Sequence, residues 1–261
     1  MRLPYVSVAI FSLLSFCPGR AAPAPITGTA VQARQNPNPV NLLLALITQL
    51  FPLNVLVQDL GSLVEDAETV FADLAGFDTS QDDLTAGRCG DVVIVFARGT
   101  SEPGNVGSLV GPPFFNEMRE RLSTQGKSLA VQGVDDYVAD VEGFLQGGDT
   151  KGSQRMADLI TQAQTQCPSS KVIMSGYSQG GQLVHNAAKL LPQSTMSDLS
   201  SIVIFGDPFN GFPIQGADAN KVLTICHVAD NICDHGDWIH MPHLTYLIDA
   251  GTATDFALER M

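Results

Sequence analysis

Residues 171–191 read KVIMSGYSQGGQLVHNAAKLL. Val172, Ile173 and Met174 form an apolar, β-prone run, and Leu183, Val184, Ala187, Ala188, Leu190 and Leu191 recur at roughly helical spacing. Between them lies Gly176-Tyr177-Ser178-Gln179-Gly180. The pattern predicts a strand, a sharp turn and a helix, with a serine on the turn. Such a G-x-S-x-G turn strains the backbone at its serine, so the residues two before and two after it must be very small. Gly176 and Gly180 meet that demand. The pentapeptide alone fits a plain strand-to-helix crossover equally well, so the rest of the chain must decide.

Working outward, five apolar runs stand at Asp91–Ala97, Ser128–Val134, Lys171–Ser175, Ser201–Phe205 and Lys221–Cys226. Helix-like segments separate them at about Phe114–Gln125, Gly152–Gln166 and Gln179–Leu191. Strands alternating with helices imply an α/β fold in three layers, a parallel sheet covered on both faces, with the ligand crevice at the carboxyl ends of the strands. Continuously apolar runs suit strands buried on both faces. With 261 residues, 44% hydrophobic and 16% charged, the chain is sized for one catalytic domain plus appendages.

Residues 1–24 read as a secretory signal: Arg2, an apolar stretch from Tyr5 to Phe16, then small residues at Ala21–Ala24. Pro18-Gly19-Arg20 interrupts that stretch too early for a transmembrane anchor. Residues 25–40 are a Pro-bearing linker or propeptide, with Arg34-Gln35 as a weak second processing point. Residues 41–78 form an apolar helical arm whose first part is greasy on every face. From Leu53 its apolar positions run 53, 56, 57, 60, 63, 64, 67, 70, 71 and 74, a helical period. The arm reads either as a helical pair packed on the core or as a lid over an apolar cleft. A polar linker, 79–88, precedes the domain at 89–261.

The formal net charge is −13; removing residues 1–24 takes away Arg2 and Arg20 and no acid, leaving about −15. An acidic exterior argues against nucleic acid as a partner. No Asn-x-Ser/Thr sequon occurs. Cys17 leaves with the signal, and Cys89, Cys167, Cys226 and Cys233 admit three pairings into two disulfides. Cys89 and Cys167 each precede a predicted strand, and neighbouring parallel strands start within disulfide reach, which favours Cys89–Cys167 with Cys226–Cys233. Metal ligation by Cys226, Cys233 and His227 or His235 is the weaker reading in an oxidising compartment.

A nucleophilic Ser178 needs a base, and the base needs an acid to orient it. His185 lies about 10 Å along the helix behind the serine, on the wrong side of the turn, and is expected at the surface or in helix packing. His227 breaks the Ser, Asp, His order of this architecture, which leaves His235, His240 and His243. Asp207 and Asp230 both follow strands, and Asp230 lies inside the Cys226–Cys233 loop. Oxyanion donors are expected from the Gln179 N–H and from the loop after the first strand, where Thr100 and Ser101 carry hydroxyls.

From about Cys89 to Met261 the chain resembles the fungal cutinases. The resemblance rests on ARGTSEPGNVG at 97–107, VQGV at 131–134, CP at 167–168, GYSQG at 176–180, CHVADNIC at 226–233 and PHLTY at 242–246, in that family's order. It implies a small α/β-hydrolase with a five-stranded parallel sheet of order 2-1-3-4-5, which sets the first and third strands side by side and supports Cys89–Cys167. It also implies Ser178 as nucleophile, Asp230 as orienting acid, His243 as base, Thr100 and Gln179 as the oxyanion hole, and neither metal nor organic cofactor. The expected protein is a secreted, monomeric serine esterase acting on cutin and similar polyester or lipid-like esters, at a lipid–water or cuticle interface. Alternatives are an acetylxylan or lipase-like esterase, and an inactive hydrolase fold that binds waxy surfaces. Two features depart from typical members: the long apolar arm, and its potential to cover a serine that is usually open to solvent.

Overall fold

Each face of the central sheet is built by alternate residues of the same strands. A computed structural model of the chain describes residues 39–51, 54–60 and 62–261. The signal peptide and nearly all of the 25–40 linker expected from the sequence lie outside the described residues. In chain order the described elements are α1 (Pro39–Leu50), β1 (Val55–Leu56), α2 (Ser62–Ala75), β2 (Val92–Ala97), α3 (Gly111–Ser123), β3 (Leu129–Gly133), α4 (Val141–Leu145) and α5 (Thr150–Gln166). They continue as β4 (Lys171–Tyr177), α6 (Gln179–Leu190), α7 (Gln193–Asp198), β5 (Ser201–Phe205), β6 (Val222–Ile225), β7 (Trp238–Ile239) and α8 (Ala250–Leu258).

Strands β3-β2-β4-β5-β6 form one parallel sheet, the order that the cutinase resemblance implies. Val92, Ile94, Phe96, Ile173, Val203 and Phe205 point to one side and pack with α3, α8 and the arm. Val93, Val95, Met174, Ile202 and Ile204 point to the other and pack with α5 and α6. Every residue of β2 is buried, as a strand covered on both faces requires. β6 closes the sheet as an edge strand and is only half-buried. Cys89–Cys167 and Cys226–Cys233 are both formed. By chain entropy they stabilise the fold by about 4.5 and about 2.5 kcal/mol.

The arm departs from the helix predicted from Leu53 onward. Val55 and Leu56 instead pair antiparallel with Ile239 and Trp238 of β7, and the Val57 N–H donates to the Asp237 carbonyl at 2.8 Å. Val57–Asp59 make a single 3₁₀ turn, and α2 begins afresh at Ser62. This tertiary ladder overrides local helical spacing and resets which face points inward. Consequently Val70 and Leu74, counted in the apolar stripe, are 44% and 62% exposed, while Ala67, Glu68, Phe71 and Ala72 face the interior. Among the described residues no helix is long and apolar enough to cross a membrane.

Candidate active site

The turn between β4 and α6 places Ser178 at φ 55°, ψ −120°, a region that L-residues avoid. A Cβ on Gly176 would stand 2.3 Å from the Gly180 carbonyl oxygen, and one on Gly180 would stand 2.0 Å from that of Ala97. The two glycines are therefore required sterically, and the strain they permit lifts the serine clear of the helix axis. The Ser178 N–H is tied to the Phe205 carbonyl at 3.0 Å, which fixes the turn to β5.

His243 Nδ1 lies 2.8 Å from Asp230 Oδ2, and both residues are buried. Because a carboxylate oxygen only accepts, the proton sits on Nδ1 and leaves a lone pair on Nε2. Asp230 is held from three sides: by His243, by the Tyr246 hydroxyl at 2.6 Å, and by the Ile232 N–H at 3.0 Å. Burial pushes the Asp230 acid up, but these donors outweigh it and hold the carboxyl below the usual range. The Cys226–Cys233 bridge encloses this turn, and the Cys233 sulfur, having no hydrogen to give, packs 3.7 Å from Oδ2. The bond between Cys226 and Cys233 takes both out of the metal-ligand reading.

Ser178 and His243 line one cavity of about 30 Å³, yet His243 Nε2 has no hydrogen-bond partner among the described residues. The serine–histidine hydrogen bond expected from the sequence is thus not made in this structure; such bonds commonly tighten only around substrate. Thr100 lines the same cavity, and its Oγ1 accepts from Gln179 Nε2 at 2.9 Å. Gln179 Nε2 also donates to the Asp140 carbonyl at 2.7 Å, which fixes the amide orientation. With a lone pair occupied, the Thr100 hydroxyl keeps its own hydrogen for another acceptor. The Gln179 N–H stands in the first turn of α6, where no intrahelical carbonyl reaches it.

Other candidates fall elsewhere. His185 is not a surface residue: it is buried in helix packing, with Nε2 3.0 Å from Asp207 Oδ2, so these two satisfy each other away from Ser178. His227 pairs with Asp249 at 2.6 Å and stacks on Tyr246. His235 Nδ1 contacts the Pro208 carbonyl at 2.8 Å. The ring of His240 lies against Trp238.

Three functional side chains are not singled out by the sequence reading although all three lie inside its motifs. Glu102 of ARGTSEPGNVG is buried and accepts from the Gly99, Ser108 and Leu109 N–H groups at 2.8–3.0 Å, bracing the Thr100 loop. Tyr246 of PHLTY holds Asp230. Tyr177, inside the pentapeptide itself, stacks on the His243 ring and donates to the His243 carbonyl at 2.8 Å.

The arm roofs this site. Phe51 and Leu60, together with Ile239 and Leu244, give the cavity its apolar walls, and Glu68 enters it from α2. Ser178 is only 4% exposed as a result.

A sheet of this order with a strained serine on the turn after its central strand, and a His–Asp pair at the carboxyl ends, defines an α/β-hydrolase. The Cutinase family profile matches residues 88–261. A cutinase of Botryotinia fuckeliana is 53% identical over 66% of this chain and 84% of its own length. A cutinase of Trichoderma harzianum is 42% identical over 96% of this chain and 97% of its own. A Trichoderma reesei cutinase, solved with a C11Y4 phosphonate inhibitor, superposes with a TM-score of 0.71 at 41% identity, covering 85% of this chain and 99% of that one. The chain belongs to the cutinase family and is a carboxylic ester hydrolase of that type. The family profile spans about two thirds of the chain, so both Trichoderma matches extend into the arm, whereas the Botryotinia match is confined to a domain-sized stretch.

Proposed function

We propose that this protein is a secreted serine esterase that hydrolyses cutin and related aliphatic polyesters. The observation that carries the reading is the strained Ser178 sharing one apolar cavity with His243, whose Nδ1 is committed to Asp230. Ser178 Oγ attacks the ester carbonyl carbon while His243 Nε2 takes its proton. The oxyanion that forms is met by the Gln179 N–H and by the N–H and hydroxyl of Thr100. The carbonyl re-forms, the alcohol leaves with the proton from His243, and Ser178 carries the acyl group. Water then attacks the acyl carbon, His243 again takes the proton and passes it to Oγ, and the acid is released. Asp230 stays ionised throughout and holds the imidazole tautomer.

Ile239 and Leu244, the apolar walls that do not belong to the arm, suit an aliphatic acyl chain better than an acetylated sugar. The likeness to an acetylxylan esterase structure at 21% identity shows a common fold alone. The arm is read as a lid: its residues close the cavity that the reaction needs, and its apolar side chains have an alternative home on a greasy surface. We place the mature protein outside the cell as a monomer, with residues 1–24 as its signal.

The test is to incubate the mature protein and its Ser178→Ala variant with an alkyl phosphonate ester and to assay monomer release from cutin, acetate release from acetylated xylan and fatty acid release from triglyceride. A Ser178 adduct with preferential release of cutin monomers is expected. Labelling that survives Ser178→Ala, or acetate as the dominant product, would overturn the reading.

A further inference from the structure

α2 turns an apolar face inward through Ala67, Phe71 and Ala72, and Glu68 sits in the middle of that face, 3% exposed. Glu68 lines the cavity together with Ser178, Thr100 and His243. Oε2 has no hydrogen-bond partner among the described residues. An ionised carboxylate buried without a partner is among the most costly groups a fold can carry, whereas a neutral carboxyl costs far less.

Among the described residues no counter-charge bonds to Glu68 Oε2. α1 brings no titratable residue to the cavity. β4 and the turn after it bring Tyr177 and Ser178, and the C-terminal loop brings His243, already committed to Asp230. The loop after β2 brings Arg98 and Glu102. The Arg98 guanidinium is spent on the carbonyls of Glu102, Tyr137 and Val138, and Glu102 is itself an acid held by three N–H groups. α2 adds only Glu65. Burial therefore drives the Glu68 acid well above its ordinary range; Glu102 and Glu65 push the same way, and Arg98 opposes them too weakly to reverse it.

We propose that Glu68 is an acid-form latch of the arm: as a neutral carboxyl it lets α2 close over Ser178, and as a carboxylate it drives the arm open, so that the need for an ester surface relaxes as pH rises. This rests on reading the arm as a lid. An acid raised in the closed form stabilises closure fully below the ordinary carboxyl value, about 4.3, and loses that contribution as pH climbs toward the raised value. Across that window closing takes up one proton, so the open-to-closed ratio grows by up to about tenfold per pH unit.

The test uses the full mature chain. Turnover of a short, water-soluble p-nitrophenyl ester is measured from about pH 5 to 9 without detergent and with non-ionic micelles, and the ratio of the two rates is followed. Any pH dependence of the chemical step itself enters both rates and cancels in their ratio. For the wild type the ratio should start well below one and rise several-fold per pH unit before levelling off. Glu68→Gln, neutral at every pH, should give a low, flat ratio, and Glu68→Leu the same or lower; phosphonate titration in micelles establishes that each variant is folded. A Gln variant that keeps the wild-type slope, or a wild-type ratio below one but independent of pH, overturns the latch while leaving the lid standing. A wild-type ratio of one at every pH, unchanged by removing residues before Gly87, removes lid and latch together.

Discussion

Tyr246→Phe removes a single oxygen from the buried polar cluster around Asp230. The Tyr246 hydroxyl donates to Asp230 Oδ2 at 2.6 Å, the same oxygen that receives His243 Nδ1, and it accepts from the His227 N–H at 3.0 Å. A hydrogen bond to a buried charge contributes about 1.5–3 kcal/mol. Its loss should lower stability by about 2 kcal/mol, which for a chain of this size is a fall in Tm of roughly 4–8 °C. Tyr246 touches neither Ser178 nor the oxyanion donors, so KM should stay where it is. What changes is the charge left on Oδ2. With one donor gone, the carboxylate holds the protonated imidazole more strongly, and a shift of one pH unit corresponds to about 1.4 kcal/mol. If about half of the lost bond is felt by the imidazolium, the acid limb of the kcat/KM profile moves to higher pH by roughly half a unit to one unit. At acid pH this is a roughly three- to tenfold loss, fading toward neutrality. Profiles of wild type and variant in non-ionic micelles, with Tm measured alongside, make the comparison. A variant that melts earlier but keeps the wild-type acid limb would show that the phenol only packs, and the reasoning would fail.

Ser178→Ala should reduce turnover by about 10⁴–10⁶-fold and abolish the phosphonate adduct seen by mass spectrometry, with the fold intact by circular dichroism. Thr100→Val keeps the side-chain shape but removes the hydroxyl; kcat should fall about 10–10³-fold with little change in KM in steady-state assays. Phe71→Ala deletes the largest fully buried side chain of α2. At about 3–5 kcal/mol for such a deletion, it should open the arm and raise detergent-free activity on a soluble ester while leaving activity in micelles near that of the wild type. Replacing Cys226 and Cys233 together by serine should cost about 2.5 kcal/mol in denaturant unfolding and depress kcat as well, because the bridge encloses the Asp230 turn.

The catalytic domain was legible because its signals are local or come in recognisable order. Buried parallel strands are continuous apolar runs, and the glycines around Ser178 answer a steric demand, since a Cβ at Gly176 or Gly180 would clash with the Gly180 or Ala97 carbonyl. The arm was legible only as apolar. Whether Val55–Leu56 is helix or strand depends on β7, which lies at the far end of the chain, and no window around residue 55 contains that partner. His185 illustrates the same limit. Its distance from the serine was readable from helix geometry, but its burial against Asp207 depends on where the chain goes after β5. Glu68 was visible as a charge between Ala67 and Phe71, and only the cavity explains why that position matters.

On the proposed lid reading, the closed arm is a balance of opposed terms of the kind a surface-operated lid requires. Ile47, Phe51, Val57 and Phe71 are buried, each contributing about 1.5–3 kcal/mol over exposure, and the β1–β7 ladder adds backbone hydrogen bonds. Against closure stand the entropy of ordering the segment, the uncompensated Glu68 carboxyl and a His243 Nε2 with no hydrogen-bond partner among the described residues. In water the apolar side chains have nowhere else to go, so closure is favoured. A neutral aliphatic surface offers those side chains equivalent burial, while opening lets water reach Glu68 and substrate reach His243. The arm therefore need not be pulled off by any specific contact: an ester surface cancels the term that holds it shut and leaves the terms that oppose closure in place. From 41 to 87 the chain carries no Lys or Arg but several acids, so an uncharged surface should release it more readily than an anionic one.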